Sequence, residues 1–186
     1  GGHRLQLVSI GIESFAQPEL DRFNKGVTTA DVLEGLTNLL ALEQEHGDVL
    51  DLREHAGFST IAFTPWTTLE DLELNLRLVS QLGLDPLFGK LLHSRLRLYP
   101  DLALHRLAEA DGLLADRQDD PLFDTARWNN YPSESPWVFG DPRVGTLNSI
   151  LTRLRPLAPS QQDALSRRVR AWYDALQMPD KSELRA

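Results

Sequence analysis

Three short segments of the chain have the composition and spacing of β-strands. They are residues 5–12 (LQLVSIGI), 58–64 (FSTIAFT) and 93–99 (HSRLRLY). The first is almost continuously apolar, which is typical of a strand covered on both faces. Glu13 and Ser14 follow the first strand, and a proline follows each of the other two. The sequence therefore predicts three strands whose carboxyl ends are marked by polar or helix-breaking residues.

Apolar residues recur at helical spacing between these strands. The first helix is predicted to begin after Thr28, because Asp31 three residues later completes a capping box. The second is predicted to begin after Thr67, with Glu70 in the corresponding position. Gly83 stands where a left-handed residue would end this second helix.

A shorter helix over residues 102–110 completes an alternation of strands and helices. That alternation predicts an α/β fold with parallel strands joined by right-handed crossovers. Three strands make a small sheet with an unprotected edge, and the first strand starts within a few residues of Gly1. We therefore expect the chain to be a fragment of a larger α/β protein.

The character of the sequence changes in its C-terminal part. Residues 119–142 hold four prolines and show little apolar periodicity, but they are rich in aromatic side chains, namely Phe123, Trp128, Tyr131, Trp137 and Phe139. This aromatic content predicts an ordered irregular segment rather than a solvated linker. Two helices are predicted to follow, over residues 146–154 and 160–176. The chain thus divides into residues 1–115 and a C-terminal extension, residues 116–186.

Composition narrows the class of protein. Of the 186 residues, 41% are apolar, and the formal net charge is -8. A chain of this size can bury a core, and its acidity argues against nucleic acid or an anionic membrane as the main partner. The chain has no cysteine, so it supplies no disulfide and no thiolate metal ligand. No apolar run approaches the roughly 20 residues that span a bilayer, and we expect a cytoplasmic protein.

Glu13 is the first candidate for chemistry. A carboxylate at the end of a buried strand needs hydrogen-bond donors, because an apolar environment disfavours its charged form. Spacing alone leaves two interpretations open: Glu13 binds a ligand, or it caps a neighbouring loop or pairs with Arg22 or Lys25. The five histidines show no metal-ligand spacing, and neither a glycine-rich phosphate loop nor a G-x-S-x-G motif is present.

Three segments resemble consecutive parts of one enzyme family. They are residues 8–15 (VSIGIESF) with 20–26 (LDRFNKG) and 28–33, residues 57–76 (GFSTIAFTPWTTLEDLELNL), and residues 95–113 (RLRLYPDLALHRLAEADGL). In this order they are similar to the fourth, fifth and sixth strands and following helices of radical S-adenosylmethionine enzymes. The branch they most resemble comprises enzymes joined to a cobalamin-binding domain and the coproporphyrinogen-oxidase and methylthiotransferase-like members.

The resemblance implies the second half of a partial (β/α)6 TIM-like barrel and assigns roles to residues. In the family, the residue after strand four contacts the ribose or methionine portion of S-adenosylmethionine, and Glu13 stands there beside Ser14. A basic residue twelve positions later binds the methionine carboxylate in some members; Lys25 stands there, where arginine is common. Thr64 and Tyr99 stand at the ends of the next two strands and would line the same cavity.

The resemblance also implies a reaction class. The parent enzyme would bind a [4Fe-4S] cluster through a CxxxCxxC loop in the N-terminal half of the barrel, which is the expected partner of this chain. It would cleave S-adenosylmethionine reductively and abstract hydrogen from a small-molecule or peptide substrate. Members that carry the additional domain would also bind cobalamin. This chain would supply no catalytic residue and no metal ligand; it would position cofactor and substrate, with residues 119–142 covering the barrel mouth.

Two other interpretations stay open. A truncated barrel would serve as a non-catalytic module that binds a partner or acts as a scaffold. Another (β/α) barrel enzyme, such as a hydrolase with Glu13 as acid or base, would need a second carboxylate at a strand end. The other strand ends offer Thr64 and Tyr99 instead.

Overall fold

A computed structural model describes residues 5–6, 10–52, 58–84, 94–116 and 134–154 of the chain. In chain order, the elements within these ranges are β1 (Leu5–Gln6), β2 (Ile10–Glu13), α1 (Gln17–Arg22), α2 (Thr29–Glu45), β3 (Leu50–Asp51), β4 (Phe58–Thr60), α3 (Leu69–Gln81), α4 (Ala103–Ala110) and α5 (Pro142–Leu154). The structure is therefore mixed α/β, as the sequence predicts.

The four strands form two parallel pairs; β1, β2 and β4 come from the first two predicted segments, whereas β3 was not predicted. β1 lies beside β3, with Leu5 opposite Leu50, and β2 lies beside β4, with Ile10 opposite Phe58. Parallel neighbours require a crossover, and α1 and α2 supply it between β2 and β4. The predicted parallel order of these strands is confirmed.

The third predicted strand is represented by isolated bridges. Phe63 pairs in parallel with Arg95, so the described part of this segment follows the direction of β4. His93, with which the predicted strand begins, lies outside the described residues. Short parallel pairs do not by themselves define a barrel, so the partial barrel stays a prediction.

Residues 134–139, which we call the returning segment, run antiparallel between two earlier parts of the chain. Ser135 bridges Leu98 on one side, and Trp137 bridges Leu114 on the other. These are isolated bridges and not a regular strand, so the ordered irregular segment stays a prediction that they do not contradict. The edge at Leu98 offers backbone groups with which a passing segment can pair. The other three aromatic residues of the predicted segment lie outside the described residues.

Trp137 fastens the returning segment to the core. Its side chain is 2% exposed, and its indole N–H donates to the carbonyl of Leu96 at 3.0 Å. The guanidinium of Arg95 lies 4.0 Å from the centre of the ring, and Phe139 meets the ring edge-on at 4.9 Å. Trp137 is thus a core residue that joins the returning segment to the third predicted strand.

Both long helices begin with a capping box, one of them a residue later than predicted. At α2 the Thr28 side chain and Asp31 cap each other as the sequence predicts. At α3 the pair is Thr68 and Asp71, so the prediction of Thr67 and Glu70 is wrong. Thr67 is buried, and its hydroxyl accepts from the N–H of Thr64 instead. Two adjacent threonines offer equivalent caps, and packing selects between them.

The ends of α3 and α4 agree with the prediction, whereas the start of α5 does not. Gly83 has a φ of 65° just after α3, as predicted for a left-handed residue. α4 agrees with the predicted helix within one residue, whereas α5 begins at Pro142, four residues before the predicted start. The second predicted C-terminal helix lies outside the described residues.

An ionic cluster joins the start of α5 to the start of α3. Arg143 donates to both carboxylate oxygens of Glu70, at 2.9 and 2.8 Å, and also to Asp141. Asp141 in turn accepts from the backbone N–H of Leu69 at 3.2 Å. The hydrogen bonds from Arg143 hold the pKa of Asp141 and that of Glu70 below their ordinary values. This cluster fixes α5 against the first turn of α3.

The apolar core is formed by the strands, the long helices and the returning segment. Its most deeply buried members include Phe15, Leu52, Phe63, Val79, Leu98 and Trp137. None of the helices in the described ranges is both long and apolar enough to cross a membrane.

Candidate ligand site at the carboxyl end of β2

Glu13 ends β2 in an unusual backbone conformation. Its φ is 63°, in the left-handed region that residues with a side chain seldom adopt, and the ladder with β4 is irregular between Gly11 and Glu13. Such a conformation costs about 1–3 kcal/mol and persists where the surroundings impose it, often at functional sites. The backbone therefore presents the Glu13 side chain at the strand end, where α/β proteins place their ligands.

The Glu13 carboxylate occupies space that is open because Gly11 has no side chain. A Cβ atom built on Gly11 would lie 2.5 Å from Oε1 of Glu13 and 3.5 Å from Nζ of Lys25. Any side chain at position 11 would therefore displace the carboxylate. Gly11, Glu13 and Lys25 together form the candidate site.

Lys25 and Glu13 form an ion pair. Nζ of Lys25 lies 3.0 Å from Oε1 of Glu13, and the two side chains are 33% and 19% exposed. Of the two partners that the sequence allows for Glu13, the structure selects Lys25. Because both groups are partly exposed, the pair is worth at most about 1 kcal/mol and can exchange partners with a charged ligand.

The end of α1 determines where Lys25 lies. The N–H of Lys25 donates to the carbonyl of Leu20 at 3.1 Å, and the N–H of Asn24 donates to that of Asp21 at 2.9 Å. Asn24 has a φ of 52°. These are the two hydrogen bonds and the left-handed residue of a Schellman motif, with Lys25 as its last residue. Lys25 therefore has a defined backbone position relative to α1.

Ser14 is bonded inside the protein. It is 1% exposed, and its hydroxyl is 3.3 Å from Oδ1 of Asn75 and accepts from the N–H of Ala16 at 3.1 Å. The same Asn75 oxygen accepts from the N–H of Phe15 at 2.6 Å. Ser14 is thus engaged in tying the end of β2 to α3, and these contacts do not bring its hydroxyl to the Glu13–Lys25 pair.

Thr64 has its hydroxyl engaged elsewhere, and the role predicted for Tyr99 stays a prediction. Thr64 is fully buried, and its hydroxyl accepts from the N–H groups of Trp66 and Thr67, which shapes the turn before α3. Tyr99 is partly exposed, and its carbonyl accepts from the N–H of Leu102 at 3.3 Å. Of the five predicted cofactor contacts, the structure brings together Glu13 and Lys25.

A charged cluster that the sequence analysis missed lies on α1. Glu19 is 2% exposed, and Nη1 of Arg22 donates to its Oε1 at 2.6 Å. Burial raises the pKa of Glu19, and this effect is opposed by the charge of Arg22. The second oxygen, Oε2, is buried without a hydrogen-bond partner among the described residues. Arg22 and the side chain of Thr64 both offset the burial of this carboxylate, Arg22 through its charge first.

The cluster extends from Arg22 to the end of α4. The guanidinium of Arg22 lies 5.3 Å from the centre of the Trp66 ring, within range of a cation–π interaction. The indole N–H of Trp66 donates to Oδ2 of Asp111 at 2.7 Å. We call Glu19, Arg22, Trp66 and Asp111 the Arg22 cluster. The i, i+3 spacing of Glu19 and Arg22 is the one local signal that would have indicated it.

Comparison of the chain with protein-family models, with curated proteins and with solved structures gave no match. Within the described ranges, no three His, Cys, Asp or Glu side chains lie together as a metal site would require. Functional inference therefore rests on the geometry at the end of β2 and on the resemblance of the sequence segments.

Proposed function

We propose that this chain is the second half of a radical S-adenosylmethionine enzyme barrel, in which Glu13 and Lys25 bind the cofactor. The observation that carries the proposal is the 3.0 Å ion pair between these residues at the carboxyl end of β2. The resemblance assigns cofactor contacts to both positions, and the structure holds both charges within one hydrogen bond of each other.

The charges of the pair suit the amino-acid end of S-adenosylmethionine. That end carries an ammonium and a carboxylate on one carbon atom, and Glu13 and Lys25 carry the complementary groups. The ligand carboxylate would take the place of Glu13 beside Lys25, while Glu13 would accept hydrogen bonds from the ligand ammonium or from a ribose hydroxyl. Charge-assisted hydrogen bonds of this kind contribute about 1.5–3 kcal/mol each.

The backbone prepares the site before a ligand arrives. The left-handed conformation of Glu13, the space above Gly11 and the Schellman motif before Lys25 fix three parts of the site independently. Preorganisation of this kind reduces the entropy that binding would otherwise cost. It is what a cofactor site requires and what an incidental surface ion pair lacks.

In this proposal, the residues of this chain bind and orient the cofactor, and none of them transfers electrons. The chain has no cysteine, so it does not supply cysteine ligands for a [4Fe-4S] cluster. In the parent enzyme, a cluster bound by the N-terminal half of the barrel would supply the electron that cleaves S-adenosylmethionine, and a cobalamin-binding domain would belong to the same parent.

Ligand-observed NMR with the 186-residue chain tests the proposal. We expect saturation transfer to S-adenosylmethionine at millimolar concentration, and roughly tenfold weaker binding of 5′-methylthioadenosine, which lacks the amino-acid end. The E13Q and K25M variants should each lose the preference for S-adenosylmethionine. Glu70→Gln is the matched control, because Glu70 is also an acid in an ion pair and is more exposed than Glu13.

Three results would count against the proposal. Unchanged binding in E13Q and K25M would remove the ion pair from the site. A loss of binding in E70Q as large as that in E13Q would indicate a general charge effect. Tight binding of S-adenosylmethionine by the isolated chain would also count against the proposal, because the cluster that would hold the amino-acid end of the cofactor is not supplied by these residues.

A further inference from the structure

The position of Lys25 depends on a helix that cannot hold itself in place. α1 has six residues, which is too short for a helix to be stable without tertiary contacts. Lys25 follows α1 directly through the Schellman motif, so any shift of α1 moves Lys25 relative to Glu13. What anchors α1 therefore sets the geometry of the ion pair.

Two buried residues of α1 face the protein, and one of them is charged. Leu20 is 1% and Glu19 is 2% exposed. Leu20 packs without directional contacts, whereas the Glu19 carboxylate has one hydrogen bond, from Arg22 in the last turn of the same helix. The bond to Arg22 keeps both charges within α1. At the start of α1, Oε1 of Gln17 accepts from the N–H of Thr29 on α2 at 2.8 Å, and the Thr64 hydroxyl also acts on the Glu19 carboxylate.

In the last turn of α1, Arg22 provides a further link to the rest of the protein. Its guanidinium is held between the Glu19 carboxylate and the face of Trp66, which follows the end of the second strand segment. The indole N–H of Trp66 in turn donates a short hydrogen bond, 2.7 Å, to Oδ2 of Asp111 at the end of α4. A planar guanidinium suits this arrangement, because it bonds a carboxylate at its edge and stacks with its face.

We infer that Arg22 is a positioning residue for the candidate site. By joining Glu19 to Trp66, it fixes the last turn of α1 and with it the distance between Lys25 and Glu13. Its effect on a ligand rests on the proposed function; its effect on the ion pair does not. Arg22 itself is three residues from Lys25 and is engaged by Glu19, so it acts through Lys25 rather than by binding the ligand.

Zero-length carbodiimide coupling measures the ion pair without any ligand. The reagent joins a carboxylate and an amine in contact, and the product is identified by peptide mass. The chain has three lysines, Lys25, Lys90 and Lys181, so a link between Glu13 and Lys25 is unambiguous. We expect the yield of this link to fall about threefold or more in R22M, because coupling requires the two groups to touch.

A matched variant separates positioning from a general effect of charge. Arg143→Met removes a different arginine, which binds the two carboxylates of the ionic cluster at α5. R143M should keep the wild-type yield. R22K should restore part of the yield lost in R22M, because lysine keeps the charge but not the stacking plane.

Two further variants decide the matter if R22M does not fold. In E19Q/R22M the buried charge is removed together with its partner, and in W66F the ring remains while the bond to Asp111 is lost. A lower coupling yield in either folded variant supports the inference. A wild-type yield in folded R22M, or in both folded substitutes, overturns it.

Binding of S-adenosylmethionine separates this inference from the proposed function. If the coupling yield falls in R22M while E13Q and K25M bind S-adenosylmethionine as the wild type does, the positioning role stands and the proposed function fails. If E13Q and K25M lose the preference for S-adenosylmethionine while R22M keeps the wild-type coupling yield, the proposed function stands and the positioning role fails.

Discussion

The side-chain oxygen of Asn75 accepts a 2.6 Å hydrogen bond from the backbone N–H of Phe15, across 60 residues of sequence. Asn75 is 4% exposed, and its amide also bonds the hydroxyl of Ser14. α3 thereby holds the two residues that follow Glu13. The direction in which the chain leaves β2 is therefore fixed by a helix that is distant in sequence but adjacent in space.

Removal of the Asn75 amide should destabilise the protein. In N75A the buried N–H of Phe15 loses its partner, and we expect the free energy of unfolding to fall by about 2 kcal/mol, which urea denaturation would measure. Asn38→Ala is the matched control, because Asn38 is exposed on α2 and should change stability by less than about 0.5 kcal/mol. Equal stability of N75A and N38A would contradict the role given to Asn75.

Substitution of Gly11 should damage the site more than the fold. The added methyl group of G11A meets the mobile end of the Glu13 side chain, which can move away at little cost, so the coupling of Glu13 to Lys25 should fall while stability changes little. Gly35→Ala offers the opposite case: nothing lies within 4 Å of the added atom on α2. We expect G35A to stabilise the chain by about 0.5–1 kcal/mol and to leave coupling unchanged. Wild-type coupling in G11A would contradict the packing described at the site.

The Glu19→Gln variant should gain stability relative to the wild type as pH rises. The folded-state pKa of Glu19 lies above its ordinary value of 4.5, mainly because of burial. The folded state therefore binds the proton more tightly, and its contribution to stability is present at low pH and lost as pH rises from the ordinary pKa through the raised one. Urea denaturation of both proteins at about pH 4 and about pH 7 measures this change. A relative loss of stability by E19Q over the same interval would contradict it.

The ionic cluster at α5 should show the opposite dependence on pH. The folded-state pKa values of Glu70 and Asp141 lie below their ordinary values of 4.5 and 3.8, chiefly because Arg143 donates hydrogen bonds to both. Their stabilising effect is complete above those ordinary values and is lost as pH falls through the lowered ones. R143M should thus differ from the wild type at neutral pH and approach it in acid, and added salt should reduce the difference.

Arg106→Met serves as the control for R143M. Arg106 is exposed on α4, and no ion pair of this residue is found among the described residues. Its substitution should leave the pH dependence of thermal unfolding unchanged. A difference between R143M and the wild type that persists undiminished in acid would mean that packing of the arginine chain, rather than its charge, supports α5.

Features that depend on neighbouring residues were predictable from the sequence. The capping box of Thr28 and Asp31 is written in four consecutive residues, and the left-handed conformation of Gly83 follows from its place after a helix. The parallel order of the strands follows from the helices between them. The error at Thr67 arose because Thr68 offers an equivalent cap, and the burial of Thr67 that decides between them is a tertiary property.

Much of the candidate site depends on contacts between distant residues. Spacing allowed Glu13 to pair with either of two residues, and Lys25 was one of them. The resemblance predicted that Glu13 and Lys25 both lie at a cofactor site. Spacing could not show that Arg22 turns instead to Glu19 and Trp66. α1 also escaped prediction, because six residues carry too little periodicity to distinguish a helix from a connection.

The returning segment is synthesised after the strand edge with which it pairs. Residues 134–139 are synthesised after the strand segments, so the backbone edge at Leu98 is unpaired while the nascent chain is still attached to the ribosome. An open strand edge is a template for pairing with other chains. Slow translation between residues 116 and 134 would lengthen that exposure, and a chaperone that shields strand edges would shorten it. The yield of soluble protein should therefore respond to codon choice in this interval more than to codon choice near the C-terminus.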